Sequence, residues 1–212
     1  MLLGKNPSPW LEDRGLVVRA LRQRDAKELE QALLRDREWL QPWEATLPSG
    51  SGRWDVRGAV RSMLEQSQSG SVLPFVLEHE GSICGQLTVS NIQYGAVLSG
   101  AIGYWVSKHV AGRGFAPTAV ALVIDYCFQE LGLHRIEICI RPENAASLRV
   151  VEKLGLVYEG RRNRFIHIAG DWRDHYCFAV LNEDVPQGVL QRWRSGDADE
   201  SLAARPESGP LS

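Results

Sequence analysis

Apolar and polar residues in the first third of the chain alternate in patterns that predict a strand followed by two helices. Residues 15–21 ("GLVVRAL") are predicted as a strand because aliphatic and β-branched residues crowd a short stretch. Asp25 precedes a helical pattern of apolar positions, and Asp55 precedes another that runs to about Ser69. Both aspartates are suitable N-caps, so the chain is expected to begin as strand, helix, helix.

The middle of the chain predicts a hairpin and then a strand joined to a long helix. Two apolar runs flank the turn residues Glu80 and Gly81. Residues 101–106 ("AIGYWV") form another predicted strand, and residues 116–131 form an apolar helix that ends at Gly132. This order is typical of a sheet with helices packed against it.

The last part of the periodic sequence predicts three strands and one helix. Residues 134–140 alternate as a strand does, and residues 145–154 follow as a helix that stops at Gly155. Two further strands, 157–168 and 172–181, meet at a short turn. The whole pattern predicts an α/β (α+β) domain with a mixed sheet flanked by helices.

The composition changes near Val185, where Gly, Ser, Pro and charged residues replace the periodic pattern. We therefore expect residues 1–184 to form a single domain and residues 185–212 to be a flexible tail.

Composition and charge exclude several classes of protein. The 212-residue chain is 44% hydrophobic, which is enough to bury a core, and its net charge of −2 gives no general attraction to nucleic acid. No apolar run reaches the roughly 18 residues of a membrane span, and no signal peptide is apparent. We expect a cytoplasmic protein without a metal site. The four cysteines are expected to be reduced thiols because none has zinc-site spacing: Cys84, Cys127, Cys139 and Cys177.

Small residues lie between the strand 101–106 and the helix that follows it. Gly112, Gly114 and Ala116 leave the backbone accessible, and Arg113 adds a positive charge. The first N–H groups of a helix can bind an anion, and Thr118 could add a hydroxyl donor. The alternative is that the glycines only shape the turn between strand and helix.

A second conspicuous segment, "IRPENAASLRVVEKLGLVYEG", covers residues 140–160. Asn144 can cap the helix, while Arg149 and Lys153 lie four residues apart on one of its faces. Taken alone, these residues could be an ordinary cap and a solvated charged surface.

Together, the glycine turn and the pattern N-x-x-S-x-R-x-x-E-K-L-G resemble the GNAT N-acetyltransferase superfamily. The second segment is especially similar to the RimJ/RimL branch, which acetylates the N-termini of ribosomal proteins, and so is "REWLQPWEATLP" near the N-terminus. The resemblance covers about residues 16–182. It implies a mixed, mostly antiparallel sheet of about seven strands flanked by helices.

The resemblance implies acetyl-CoA as co-substrate and assigns residues that would bind it. In this branch the turn usually begins with Gln or Arg, where this chain has Ala111. Pantetheine is expected along the strand, phosphates at the turn, and Asn144 beside the pantetheine. The implied cofactor-binding residues are Trp105, Val106, Ala111, Gly112, Arg113, Gly114, Phe115, Ala116, Thr118, Asn144, Ser147, Arg149 and Lys153.

The resemblance also implies direct attack of an amine on the thioester, with a backbone N–H near Val106 stabilising the oxyanion. Ser147 matches a serine proposed to protonate the leaving CoA thiolate. The position of the family's glutamate base is Ile166 here. The substitute bases to be considered are Glu44, Glu159, His167 and Asp174.

The acceptor is expected between the aromatic segment of residues 35–57 and the last hairpin. Trp54 belongs to that segment, and the candidate acceptor-binding residues are Trp39, Trp43, Glu44, Arg164 and Arg173. The aromatic residues could instead be core packing. A protein N-terminus, possibly ribosomal, is the first hypothesis for the acceptor. The alternatives are a small-molecule N-acyltransferase for a polyamine, aminoglycoside or amino acid, and a non-catalytic acyl-CoA-binding module.

Overall fold

The structure, a computed structural model, describes residues 9–50 and 55–205. It confirms the α/β class with a mixed sheet, which has eight strands where about seven were predicted. The additional strand is β1 (Trp10–Asp13), which pairs antiparallel with β2 (Leu16–Ala20). Strand β1 has only four residues and is too exposed to give an apolar pattern, so the sequence did not reveal it.

The remaining strands continue the sheet mainly by antiparallel pairing. The order across the sheet is β1-β2-β3-β4-β5-β6-β8-β7, and the neighbours β5 and β6 are parallel. These strands are β3 (Leu73–His79), β4 (Ser82–Gln93), β5 (Ser99–Val106), β6 (Arg135–Ile140), β7 (Val157–Ile168) and β8 (Asp171–Leu181).

Helices cover both faces of the sheet. On one face, α1 (Ala26–Arg35) and α3 (Val56–Gln68) bury a small apolar cluster, and the one-turn helix α2 (Arg37–Leu40) follows α1. On the other face, α4 (Phe115–Gln129) and α5 (Ala145–Leu154) pack on the main core. The four predicted helices are therefore present, and α4 is buried on nearly all sides as its apolar sequence requires.

The parallel pair β5 and β6 separates after three residue pairs. Ser99, Gly100 and Ala101 pair with β6, whereas the second half of β5 has no strand partner on that side among the described residues. The gap opens toward the carboxyl ends of both strands, beside the start of α4 and α5. Such a gap exposes a strand edge that a ligand can extend.

Residues 185–205 are ordered, which corrects the expectation of a flexible tail over this range. Helix α6 (Val189–Ser195) packs on α4, and Asp125 of α4 accepts hydrogen bonds from the N–H groups of Val189 (2.6 Å) and Leu190 (3.1 Å). Val185, Val189 and Trp193 are spaced four apart and form the apolar side of this segment. The polar composition concealed that spacing.

Among the described residues, no helix is both long and apolar enough to cross a membrane. All four cysteines are free thiols, three of them buried.

Candidate active site

The turn before α4 presents unpaired backbone N–H groups. Gly112 and Gly114 have φ values of +79° and +84°, which favour glycine. Within residues 9–50 and 55–205, the N–H groups of Gly112, Gly114, Phe115 and Ala116 have no acceptor. Pro117 has no N–H to satisfy. The turn is therefore a concave set of donors at the positive end of a 15-residue helix, which suits an anion such as a diphosphate.

Two side chains assigned to this turn point elsewhere. The Arg113 guanidinium lies 3.1 Å from Nε2 of His79 and stacks over the Phe115 ring. Thr118 is buried, and its Oγ1 accepts a hydrogen bond of 3.0 Å from Arg194 of α6. The anion-binding capacity of the turn thus resides mainly in its backbone.

Two cavities meet in the gap between β5 and β6. The outer cavity, of about 840 Å³, extends from Ala116 and Val150 to Trp39 and Met63. The inner cavity, of about 210 Å³, lies between the separated strands and the last hairpin. Six residues line both cavities and mark their junction: Trp43, Ala45, Gly103, Tyr104, Asn144 and Ser147.

The open edge of β5 offers backbone groups to the outer cavity. The Ser107 N–H donates to the Cys84 carbonyl at 2.8 Å, so alternation along an antiparallel pair turns the N–H and C=O of Val106 away from β4. By the same alternation, the backbone N–H and C=O of Tyr104 point away from β4 and into the gap, whereas those of Trp105 point toward β4. The Val106 carbonyl accepts 3.1 Å from Nε1 of Trp39, which leaves its N–H facing the gap.

Helix α5 places Asn144 and Ser147 at the junction. Asn144 is its N-cap, with Oδ1 accepting from the Ser147 N–H at 3.1 Å. The Tyr104 hydroxyl is buried, and it has no hydrogen-bond partner among the described residues. Burial raises the pKa of this hydroxyl, and the neighbouring Ser147 side chain offsets part of the rise. Tyr104, which the sequence analysis did not single out, is therefore a neutral donor beside Ser147.

Arg149 and Lys153 are turned toward the C-terminal segment. The Arg149 guanidinium binds Glu200 at 3.0 Å and also pairs with Glu152. Hydrogen bonds from Arg149, with a smaller effect of the Lys153 charge, lower the pKa of the Glu200 carboxyl. Neither side chain lines either of these two cavities, so their predicted position near the nucleotide phosphates stays a prediction.

Glu44 is the one predicted base that lines a cavity. It borders the outer cavity, and its carboxylate is ion-paired with Arg37. Glu159 instead pairs with Arg135 at the first residue of β6, away from the gap, and this partner lowers the pKa of the Glu159 carboxyl.

His167 and Asp174 lie on the side of their strands that faces away from the inner cavity. Side chains alternate along a strand, and it is Ile166, Ile168 and His175 that line the cavity. Nδ1 of His167 lies 2.8 Å from the Thr46 hydroxyl. Asp174 accepts 2.6 Å from the Arg164 N–H and pairs with Arg161, and these contacts lower its pKa.

His175 is a cavity residue that sequence reasoning missed. The residue is 3% exposed and lines the inner cavity. Nδ1 lies 3.0 Å from the Arg173 carbonyl, which can only accept, so Nδ1 carries the proton. Burial lowers the pKa of the imidazole. Because side chains alternate along a strand, the sequence could have placed His175 on the face of β8 opposite to Tyr176 and Phe178. It could not show that this face borders a cavity.

The aromatic segment closes the acceptor side of the cavities. Trp43 lines both cavities, and the Arg141 guanidinium lies 5.5 Å from its ring centre. Trp39 lines the outer cavity. Arg164 and Arg173 are on the last hairpin and line neither cavity. Trp54 is outside the described residues.

Comparison with known proteins agrees with this architecture. The family described as "Acetyltransferase (GNAT) domain" matches residues 15–157, from β2 through α5. The [ribosomal protein uS5]-alanine N-acetyltransferase of Escherichia coli (strain K12) is 31% identical, over 86% of this chain and 95% of its own. The probable N-acetyltransferase YjcK of Bacillus subtilis (strain 168) is 42% identical over 50% of this chain and 58% of its own length.

A solved structure of similar shape is that of Mycobacterium smegmatis RimJ in complex with CoA-disulfide. It is 33% identical, has a TM-score of 0.81, and covers 90% of this chain and 94% of its own. The free N–H groups before α4, the gap between β5 and β6 and these matches agree, and the chain belongs to the GNAT acetyltransferase family.

Proposed function

We propose that this protein transfers the acetyl group of acetyl-CoA to the α-amine of a protein N-terminus, namely that of a ribosomal protein. The observation that carries the proposal is the continuous path from the donor turn before α4 to the junction of the two cavities. One end of the path suits a diphosphate and the other suits a reacting carbonyl. Such an acceptor places the enzyme in the cytoplasm.

The acyl donor fits the outer cavity by its chemistry. Its diphosphate would accept from the free N–H groups of the turn at residues 112–116. Its pantetheine arm would extend the sheet at the open edge of β5, where Tyr104 and Val106 turn their backbone groups outward. Acetyl-CoA supplies an activated acyl group, and the Val106 N–H is suited to stabilise the oxyanion.

The acceptor side favours a chain end over a polyamine or an aminoglycoside. Polycations bind best to unpaired carboxylates. Glu44 and Glu143 are the acidic residues that line the two cavities in the described part of the chain, and each is paired with arginine: Glu44 with Arg37, Glu143 with Arg141. The inner cavity, of about 210 Å³, has room for a small terminal residue.

The relatives support the same assignment. The Escherichia coli protein named for ribosomal protein uS5 is similar along nearly its whole length. The Mycobacterium smegmatis structure, which contains a CoA disulfide, shares the fold closely.

An α-amine is also chemically easier to acetylate than a lysine side chain. Making the free amine at pH 7 costs about 1 kcal/mol for an α-amine of pKa ~7.8, but about 4.6 kcal/mol for a lysine of pKa ~10.4. Once the nitrogen attacks, the departing sulfur needs a proton. The hydroxyls of Ser147 and Tyr104 are suited to supply it because both lie at the junction.

The test is release of free thiol from acetyl-CoA with matched acceptors. One peptide has a free N-terminus, the second has the same sequence with a blocked N-terminus and internal lysines, and the third acceptor is spermidine. Turnover with the first peptide alone is expected. Turnover with spermidine alone would overturn the proposal in favour of a small-molecule acyltransferase, and CoA binding without turnover on any acceptor would favour a binding module.

A further inference from the structure

We propose that His175 is the general base of this enzyme, taking a proton from the acceptor amine through Nε2. The proposal deepens the function proposed above and rests on it. It fills the place left by Ile166, which stands where related enzymes are expected to carry a glutamate.

The hydrogen bonding of His175 prepares one ring nitrogen to accept a proton. Nδ1 donates to the carbonyl of Arg173 at 3.0 Å, which fixes the tautomer and the ring orientation. Nε2, on the other side of the ring, has no hydrogen-bond partner within residues 9–50 and 55–205. A neutral imidazole with a free Nε2 is the form that a general base requires.

The position of His175 places this nitrogen near the reacting atoms. His175 lines the same small cavity as Tyr104, Asn144 and Ser147, which form the junction with the outer cavity. A terminal amine seated in the inner cavity would lie between the imidazole on β8 and an acyl carbon at the junction. His175 faces this space from the acceptor side, and Ser147 faces it from α5.

Burial of His175 favours its neutral form. The residue is 3% exposed, and its ring contacts the Phe165 ring edge-on. Burial lowers the pKa of the imidazole, and the Arg141 charge adds to this effect. The hydrogen bond to the Arg173 carbonyl and the nearby carboxylates oppose this only in part. The titratable and charged groups packed around it are Tyr104, Cys139, Arg141, Glu143, Arg162 and Asp174.

The other ionisable groups are placed less well. Glu44 lines only the outer cavity and is paired with Arg37. Cys139 lines the inner cavity, but burial raises the pKa of its thiol to about 12, so it is protonated at neutral pH. Among the described residues that line this cavity, His175 is the one histidine.

The acceptor ammonium loses two protons during the transfer. Nε2 takes one proton from the ammonium, the nitrogen lone pair forms the C–N bond, and the C–S electron pair leaves on sulfur. The second proton lost by the nitrogen replaces the one that the Ser147 or Tyr104 hydroxyl gives to the sulfur. The products are an amide, a thiol and an imidazolium that releases its proton to water.

The test compares wild type with His175→Asn. Asparagine can still donate to the Arg173 carbonyl, but it cannot take up a proton. The matched control is His134→Asn. His134 is exposed, directly precedes β6 and pairs with Glu183. The measurements are kcat and KM for both substrates from pH 5 to 9, together with thermal unfolding of each variant.

We expect kcat of His175→Asn to fall about 100-fold or more at pH 7.5, with KM values within about threefold of wild type. Ionisation of the acceptor amine affects both enzymes equally, so its pH dependence cancels in the ratio of wild-type to variant kcat/KM. Because burial lowers the pKa of His175, this ratio should stay constant down to the ordinary imidazole pKa of about 6.5 and decline only at lower pH, where the imidazole becomes protonated.

A variant within threefold of wild type at every pH would overturn the proposal. A loss accompanied by a pH-independent ratio would overturn it too, because that pattern indicates a structural role. If the wild-type enzyme acetylates only small amines, the same comparison is made with those amines. The proposed acceptor would then be wrong, and the role of His175 as the base would still be tested.

Discussion

The indole Nε1 of Trp39 donates a hydrogen bond of 3.1 Å to the carbonyl of Val106. This contact joins the aromatic segment after α1 to the open edge of β5. It also satisfies one of the two backbone groups that Val106 turns into the gap, which leaves the N–H as the group available for a ligand. The acceptor side of the site is therefore positioned by the strand that is proposed to hold the acyl donor.

Trp39→Phe should test this connection. The ring is retained, but the Val106 carbonyl loses its donor, so we expect the free energy of unfolding to fall by about 1 kcal/mol and kcat/KM to fall several-fold. The control is Trp172→Phe, at an exposed ring that packs on His167 outside both cavities. Equal kinetic losses in the two variants would contradict the proposed coupling.

Gly112→Ala should separate phosphate binding from backbone strain. Gly112 has φ +79° and open space around it, and Gly132 at the end of α4 has φ +65° and open space as well. Alanine at either position costs about 1–2 kcal/mol of stability. Gly112→Ala alone is expected to raise KM for acetyl-CoA, by about tenfold. Steady-state kinetics would contradict the assignment of the turn if Gly132→Ala raised KM equally.

Asp125→Ala should release the C-terminal helix. Asp125 caps the start of α6 through two backbone N–H groups, and hydrogen bonds to a charged group are worth about 1.5–3 kcal/mol. We expect a loss of that size in urea unfolding and faster proteolysis within α6. Asp197→Ala, at an exposed position after α6, is the control. If both variants behaved alike, α6 would not be held in this way.

The ion pair of Glu159 and Arg135 should give a pH-dependent contribution to stability. Because Arg135 lowers the pKa of Glu159, the contribution is present at neutral pH and is lost as the pH falls below about 4. Glu159→Gln should therefore lower the unfolding temperature slightly at pH 7, and the difference should shrink progressively as the pH falls below about 4. The exposed Glu65→Gln gives the baseline, and a difference that did not shrink between pH 7 and acid pH would contradict this explanation.

The sequence was most informative where local physics determines the structure. The glycines at 112 and 114 and the Asn144 cap have clear local signals, and these features form the cavity junction and the donor turn. Periodicity likewise predicted α4 and α5. Each of these features depends on residues close together in the chain, so one sequence is sufficient to find them.

The sequence was least informative where tertiary packing decides. His175 faces a cavity because β5 and β6 separate after three pairs, and no residue in β8 records that separation. The pairing of Arg149 with Glu200, which lies far away in the sequence, likewise could not be found from the residues around Arg149. Helix α6 was concealed by polar residues, although its buried Val189 lies four residues from both Val185 and Trp193.

The central claim is best tested by mass spectrometry of one peptide that has both a free N-terminus and an internal lysine. After incubation with the enzyme and acetyl-CoA, fragmentation locates the added acetyl group. We expect one acetyl group on the α-nitrogen, with the lysine unmodified. Acetylation of the lysine with a free α-amine remaining would contradict it.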